Sequence, residues 1–223
     1  MKKIIALSFV LFPSFAFAQF SKGQVYVGGS LSTSLFNNDV PATANSYNSS
    51  NKNNTFTLSP MVGIFLNQKI AIGGGVGYTT TYTEWNYTSS YYDANNNLIT
   101  VPAFQKNRTN GVILMSFTRY YVPISSSFYF AAHGQVNFTR SNQKNVQNTG
   151  TEEITQENPY YAIGVTLKPV FIFFPSPRWG FEAGVGSLGY LYYRYLPNVS
   201  SVNSFTFSMG TFSLGLAYYF AKK

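Results

Sequence analysis

From Thr55 to Leu66 the chain alternates. Phe56, Leu58, Pro60, Val62, Ile64 and Leu66 fall on one parity, and Thr55, Thr57, Ser59, Met61, Gly63 and Phe65 on the other. A period of two belongs to a β-strand, here with one continuously apolar face and one small or polar face. After Asn67-Gln68-Lys69 the alternation resumes. Ile70, Ile72, Gly74, Val76, Tyr78 and Tyr82 share one face, and Ala71, Gly73, Gly75, Gly77, Thr79, Thr81 and Thr83 the other. Two such runs with a short polar link predict a hairpin.

The hairpin repeats. Offset by 109 residues, Pro60 meets Pro169, Phe65 meets Phe174, Lys69 meets Arg178, Val76 meets Val185 and Gly77 meets Gly186. A looser copy runs from Arg119 to Phe138, with Phe128, Phe130, Ala132, Val136 and Phe138 on its apolar face. Alternation near the two ends, through Val25, Val27, Leu31 and Leu35 and through Phe212, Leu214, Leu216, Tyr218 and Phe220, completes the set. The pattern predicts eight strands over 24–36, 54–66, 70–84, 108–122, 128–141, 159–173, 179–193 and 204–220.

The links sort by length. Those at 67–69, 123–127 and 174–178 are short, whereas 37–53, 85–107, 142–158 and 194–203 read as long loops rich in Asn, Ser, Thr and Tyr. Short turns at one end and long loops at the other mark a transmembrane barrel. Composition agrees, with 18% aromatic and only 10% charged residues. A soluble surface normally carries about a quarter or more charged residues. Lipid offers the backbone no partners, so only helices or a closed barrel span it. The expected fold is therefore all-β, an eight-stranded antiparallel up-and-down transmembrane β-barrel. Its apolar faces should touch lipid, and its glycine-rich faces should fill a narrow interior. Pro60 and Pro169 each lack a ladder donor, which predicts a bulge or a locally unpaired position at each.

The first residues carry a different signal. Lys2 and Lys3 precede an apolar stretch at Ile4–Phe12, and Ala16-Phe17-Ala18 is an A-x-A cleavage site. This reads as a secretory signal peptide over 1–18, cleaved after Ala18, with the barrel domain over 19–223. Cys is absent, so neither disulfides nor thiolate metal sites are available.

Four polar residues take the inward parity: Arg119, His133, Lys168 and Glu182. Charges inside a membrane domain must pair or meet water. Glu182 is expected between cationic partners, in a structural polar network within the barrel. His133 is the only histidine. No serine or carboxylate at a telling spacing marks it as catalytic. GGGVG at 73–77 lacks both the dinucleotide and the P-loop spacing. No catalytic, cofactor-binding or metal residues are assigned, and no cofactor is expected.

The remaining charges sort by side. Lys22, Lys69, Arg178, Lys222 and Lys223 lie near the short turns and chain ends. Lys52, Lys106, Arg108, Arg140, Lys144 and Arg194 share the loop side with six acids. No basic stripe with interleaved aromatics marks a nucleic-acid interface. Bases at the rim suit the phosphates of lipopolysaccharide. Trp85, Tyr87, Tyr120, Tyr121, Trp179, Tyr192, Tyr193 and Tyr218 suit two aromatic girdles.

The stretches SPMVGIFLNQKIAIGGGVGY, RYYVPISSSFYFAAHGQ and the ending FSLGLAYYF resemble the small outer-membrane β-barrel proteins of the OmpX and OmpA-barrel type, with the porin-like barrel domain. The resemblance covers nearly all of 19–223. It implies residence in the outer membrane of a Gram-negative bacterium. It also implies insertion by the barrel assembly machinery through a terminal aromatic signal, matched here by Phe220 with Tyr218 two before it.

The expectation is a non-enzymatic integral outer-membrane protein. Its partners would be outer-membrane lipids and lipopolysaccharide, it would be monomeric, and its long loops would serve surface or ligand contact or envelope integrity. The alternatives are a lipid-modifying enzyme using His133, a narrow passive pore, and a soluble lipocalin-like barrel. The last requires an apolar interior, which the inward glycines, threonines and charges oppose.

Overall fold

The computed structural model describes residues 20–40, 49–149, 152–196 and 201–221. The segment read as a signal peptide, 1–18, and Lys222 and Lys223 lie outside the described residues.

Eight strands form one closed antiparallel barrel in chain order: β1 Val25–Val40, β2 Ser49–Phe65, β3 Ile70–Tyr92, β4 Leu98–Pro123, β5 Phe128–Asn148, β6 Glu153–Ser176, β7 Trp179–Tyr195 and β8 Ser201–Tyr219. This is the architecture expected from the alternation. The faces fall as the parity requires. Phe56, Leu58, Val62 and Ile64 point out, and Ser59, Met61 and Phe65 are buried inside. The same holds on β3, where Ile72, Val76 and Tyr78 are exposed and Ala71 is buried.

The strands run well past the expected ends on one side. β3 and β4 pair without interruption to Tyr92↔Leu98, so the expected loop at 85–107 is a long ribbon with a turn at 93–97. β5 and β6 likewise pair to Asn148↔Glu153. The reason is physical. Beyond the lipid both faces of a strand meet water, so the apolar alternation stops while the ladder still satisfies the backbone. The turn at 93–97 is fixed by Asp93, whose Oδ1 accepts from the backbone N–H groups of Asn95 and Asn97, each at 2.8 Å. Asn96 takes a positive φ of 63° there, a conformation Asn tolerates. Hydrogen bonding from Asn97 holds the Asp93 carboxyl below the usual carboxylate range.

The opposite end turns tightly. Asn67 Oδ1 accepts from the N–H groups of Lys69 and Ile70, each at 2.8 Å, and Ile124 N–H donates to Phe128 O at 2.9 Å. The two prolines behave differently from each other. At Pro60 the β2–β3 pairing skips from Leu58↔Tyr78 to Met61↔Gly75 without changing register. At Pro169 the β6–β7 register shifts between Leu167 and Val170. One is a gap in the ladder and the other a bulge, both consistent with a missing donor.

Candidate functional site

The interior has three levels. At the short-turn end lies a knot of rings. Phe20 stands at its centre, stacked on Phe65 with ring centroids 4.3 Å apart, and it also meets Tyr121, Tyr129, Phe174 and Tyr219 at 4.8–5.7 Å. Tyr26, Ile172 and Ala217 complete this core. Apart from Phe20, which precedes β1, each ring is an inward residue close to the tight turns, so the strands deliver them to one level. Burying so many aromatics closes the barrel at this end. Phe20 was not singled out in the sequence, because it sits ahead of β1 in a stretch without periodicity.

Above the knot lies the polar layer. β4 carries Arg119, β5 His133, β6 Lys168 and β7 Glu182. Arg119↔His133 and His133↔Lys168 are direct cross-strand partners. The guanidinium reaches across the barrel and donates from Nη1 to Glu182 Oε1 at 2.7 Å and from Nη2 to Oε2 at 2.9 Å. This is the bidentate fork that guanidinium and carboxylate planes favour. Arg119 is 1% exposed and Glu182 7%. Nη2 also meets Met61 Sδ at 3.4 Å, and the guanidinium lies near the faces of Tyr26 and Phe117.

His133 continues the network. Arg119 Nε donates to His133 Nδ1 at 2.7 Å. That nitrogen must then be the unprotonated one, so Nε2–H donates to Gln135 Oε1 at 2.9 Å. Gln135 Nε2 in turn donates to Asn137 Oδ1. A directional chain of donors thus climbs β5 from the arginine. The imidazole is 0% exposed and packed on Phe117. Lys168 departs from the expected arrangement. It is partly buried on the interior side, yet its ammonium is not among the ion pairs within 4.0 Å found in the described residues. Glu182 is clasped directly by Arg119, while Lys168 acts on it only through longer-range charge interaction. Gln135, Asn137 and Met61 belong to the network but carried no distinguishing signal in the sequence.

Higher still, the interior is lined by hydroxyls, with Thr55 on Thr81 at 3.1 Å and Thr57 on Thr79 at 2.9 Å. Small residues are forced where strands crowd: a Cβ on Gly75 would lie 2.5 Å from Pro60 O and 3.1 Å from Met61 Cα. Among the described residues no group of three or more His, Cys, Asp or Glu could hold a metal ion.

Outside, the apolar band ends in rings. Trp179 packs on Tyr218 at 5.0 Å, and Tyr218 on Phe220 at 5.1 Å, both at the turn end. At the ribbon end Arg140 lies over Tyr161, Lys106 pairs with Glu84 at 3.8 Å, and Tyr82 Oη donates to Glu84 at 2.9 Å. That last bond holds the Glu84 carboxyl below its usual range. A cleft of about 600 Å³ opens among the ribbons, lined by Asp39, Ser50, Asn86, Tyr87, Phe104 and Asn148.

No family model matches the chain, and no curated protein matches it. Solved structures do. Ail, the attachment invasion locus protein of Yersinia pestis, in complex with the heparin analogue sucrose octasulfate, is similar at 11% identity and a TM-score of 0.36, over 89% of this chain and 99% of that one. The outer membrane protease OmpT from Escherichia coli is similar at 11% identity and a TM-score of 0.36, over 93% of this chain and 96% of that one. The beta domain of the Bordetella autotransporter BrkA follows at 8% and 0.25, over 91% and 100%. Likeness at this level carries no conclusion about activity. The barrel rests on its own strand register.

Proposed function

We propose that this chain is a non-enzymatic integral protein of the bacterial outer membrane whose outer ribbons make contact with surfaces or ligands, or hold the envelope together. One observation carries this reading. The outward residues between the tight turns and the ribbons are mostly apolar, broken only by small hydroxyl and glycine positions such as Thr33, Gly74, Ser116 and Thr118, while the charged residues are inside or at the two ends. Such a band suits lipid and would be a liability in water.

The alternatives fare less well. A catalytic His133 would have to reach lipid, but its ring is enclosed and both nitrogens are occupied. A passive pore would have to pass the ring knot around Phe20. The rim bases, with Arg140 over Tyr161, suit the phosphates of lipopolysaccharide. Tyr218 and Phe220 would serve the barrel assembly machinery, and the chain would act as a monomer.

Trimming the β3–β4 ribbon tests the functional part. Replacing 86–104 by a two-residue turn should leave a folded barrel in the membrane. Attachment of expressing cells to surfaces, or their resistance to bile salts, should fall to the level of cells lacking the chain. Full retention of both would place the function elsewhere.

A further inference from the structure

The barrel closes unevenly. β1 runs along β2 from Val25 to Val40, yet it keeps β8 only from Tyr26↔Tyr219 to Leu31↔Leu214. Continued in register, Thr33 would face Phe212 and Phe36 would face Met209. No such pairs form among the described residues. The cause lies on the other side of β8. Between Val185↔Phe212 and Ser187↔Ser208 the β7–β8 register shifts, with Gly186 at a positive φ of 69°. The β7–β8 ladder is therefore irregular at the level where β1 leaves β8. A bulge bends its strand and interrupts pairing.

The opened seam lies at lipid depth. The outward run on β1 reaches Leu35, and that on β8 continues through Phe212, Met209 and Phe207 to Phe205. These five side chains are 65–75% exposed, against 42–50% for Phe56, Leu58, Val62 and Ile64 on the closed wall. This exposure begins at Leu214, which ends the β1–β8 ladder and is itself 70% exposed. On the inward parity the same edges carry Ser30, Ser32, Ser34 and Ser213. Open strand edges are not tolerated against lipid unless they line a polar cavity. The slot thus runs from apolar outside to hydroxyl-lined inside. Below the slot β8 stays paired on both sides, with Gly215 opposite Ser30 of β1 and Glu182 of β7.

The interior also holds surplus charge. Arg119 and Glu182 neutralise each other, which leaves Lys168. Lys168 sits at the β6 bulge, level through β7 with the bulge of β8.

We propose that the β1–β8 seam is a lateral portal. Through it, a single-chain anionic amphiphile of the long-chain fatty-acid class passes from the bilayer, its tail between Leu35 on one side and Phe205, Phe207, Met209 and Phe212 on the other, and its carboxylate drawn towards Lys168. This rests on the membrane reading above. A partner strand is the less suited occupant, because the bulge breaks the even spacing of donors along the β8 edge.

The test uses the full chain refolded in phosphatidylcholine bilayers, with palmitate carrying a photoreactive group in its tail. Adducts should be saturable and confined to 30–36 and 204–214. Lys168→Met should weaken saturation by palmitate about tenfold, the worth of one charge-assisted contact, and leave the methyl ester unaffected. In the cysteine-free chain, Ser32→Cys with Ser213→Cys, which face each other one step beyond the last pair in the continued register, should trap the seam shut on oxidation and abolish the inward adducts, with recovery on reduction. Adducts spread evenly around the band, or unchanged by the disulfide, would overturn the portal. So would crosslinking of Ser32→Cys between two copies, which would make the seam a protein interface. Each sample is checked for a boiling-dependent gel shift. A chain that shifts but shows no saturable adduct refutes the portal alone, and one that never enters the bilayer refutes the membrane reading with it.

Discussion

Arg119 of β4 and Glu182 of β7 face each other across the barrel and share two hydrogen bonds, at 2.7 and 2.9 Å. They are 63 residues apart in sequence. Neither is on a neighbouring strand of the other, so the pair ties opposite walls together. Breaking one partner of a buried pair strands the other charge and costs about 3–5 kcal/mol. Glu182→Ala should therefore lower stability by about that much in urea unfolding from lipid vesicles. Arg119→Met combined with Glu182→Leu should recover most of it, because no charge is then left alone. A Glu182→Ala barrel that unfolds at the original urea concentration would remove the clamp from the list of stabilising contacts.

Phe20 contributes differently. It is the hub of the ring knot, and truncating a buried Phe costs about 3–5 kcal/mol. Phe20→Ala should lower the unfolding midpoint and let water reach the rings around it. Hydrogen exchange at the turn-end backbone of β2, β4 and β8 would rise. Unchanged exchange there would mean that the knot holds without its centre.

Two glycines form a matched pair. Gly75 faces inward against the backbone of β2, where a Cβ would lie 2.5 Å from Pro60 O. Gly134 has only Thr118 within reach, with Cγ2 at 3.5 Å. Gly75→Ala should destabilise by about 1–3 kcal/mol, as overpacking does. Gly134→Ala should be neutral or slightly stabilising. Equal effects in vesicle unfolding would contradict the crowding.

The tip of the β3–β4 ribbon should respond to acid. The folded-state carboxyl of Asp93 titrates below its usual range because Asn97 and Asn95 hydrogen-bond to it. A depressed value means that the charged form favours the folded turn. That contribution is complete above the unfolded value, near 3.9, and is lost as pH falls through the lower folded value. Amide exchange at Asn95–Asn97 should quicken only under strong acid, and Asp93→Ala should show fast exchange at neutral pH. A tip whose exchange in the variant matches the original at neutral pH would count against the Asx turn.

How far the sequence announced this molecule depends on where each residue meets lipid. From Phe56 to Leu66 one face is apolar, so period two is visible and the strand is read correctly. From Trp85 to Phe104 both faces are wet, the alternation vanishes, and a paired ribbon looks like a loop. Arg119, His133 and Glu182 could be placed inside by parity alone, but parity does not say which partner a charge finds. Lys168 shares their face, yet among the described residues it makes no ion pair within 4.0 Å. Phe20 precedes the first strand and has no period to betray it. The short β1–β8 seam joins the first strand to the last, and register between distant strands leaves no local trace.

The measurement that bears most directly on the central claim is outer-membrane fractionation with heat modifiability. The full chain is expressed in a Gram-negative host, membranes are extracted with carbonate, and boiled and unboiled samples are compared on a detergent gel. A closed lipid-facing barrel predicts a band that stays with the outer membrane and changes mobility on boiling. A chain released into the periplasm or medium, with the same mobility before and after boiling, would contradict it.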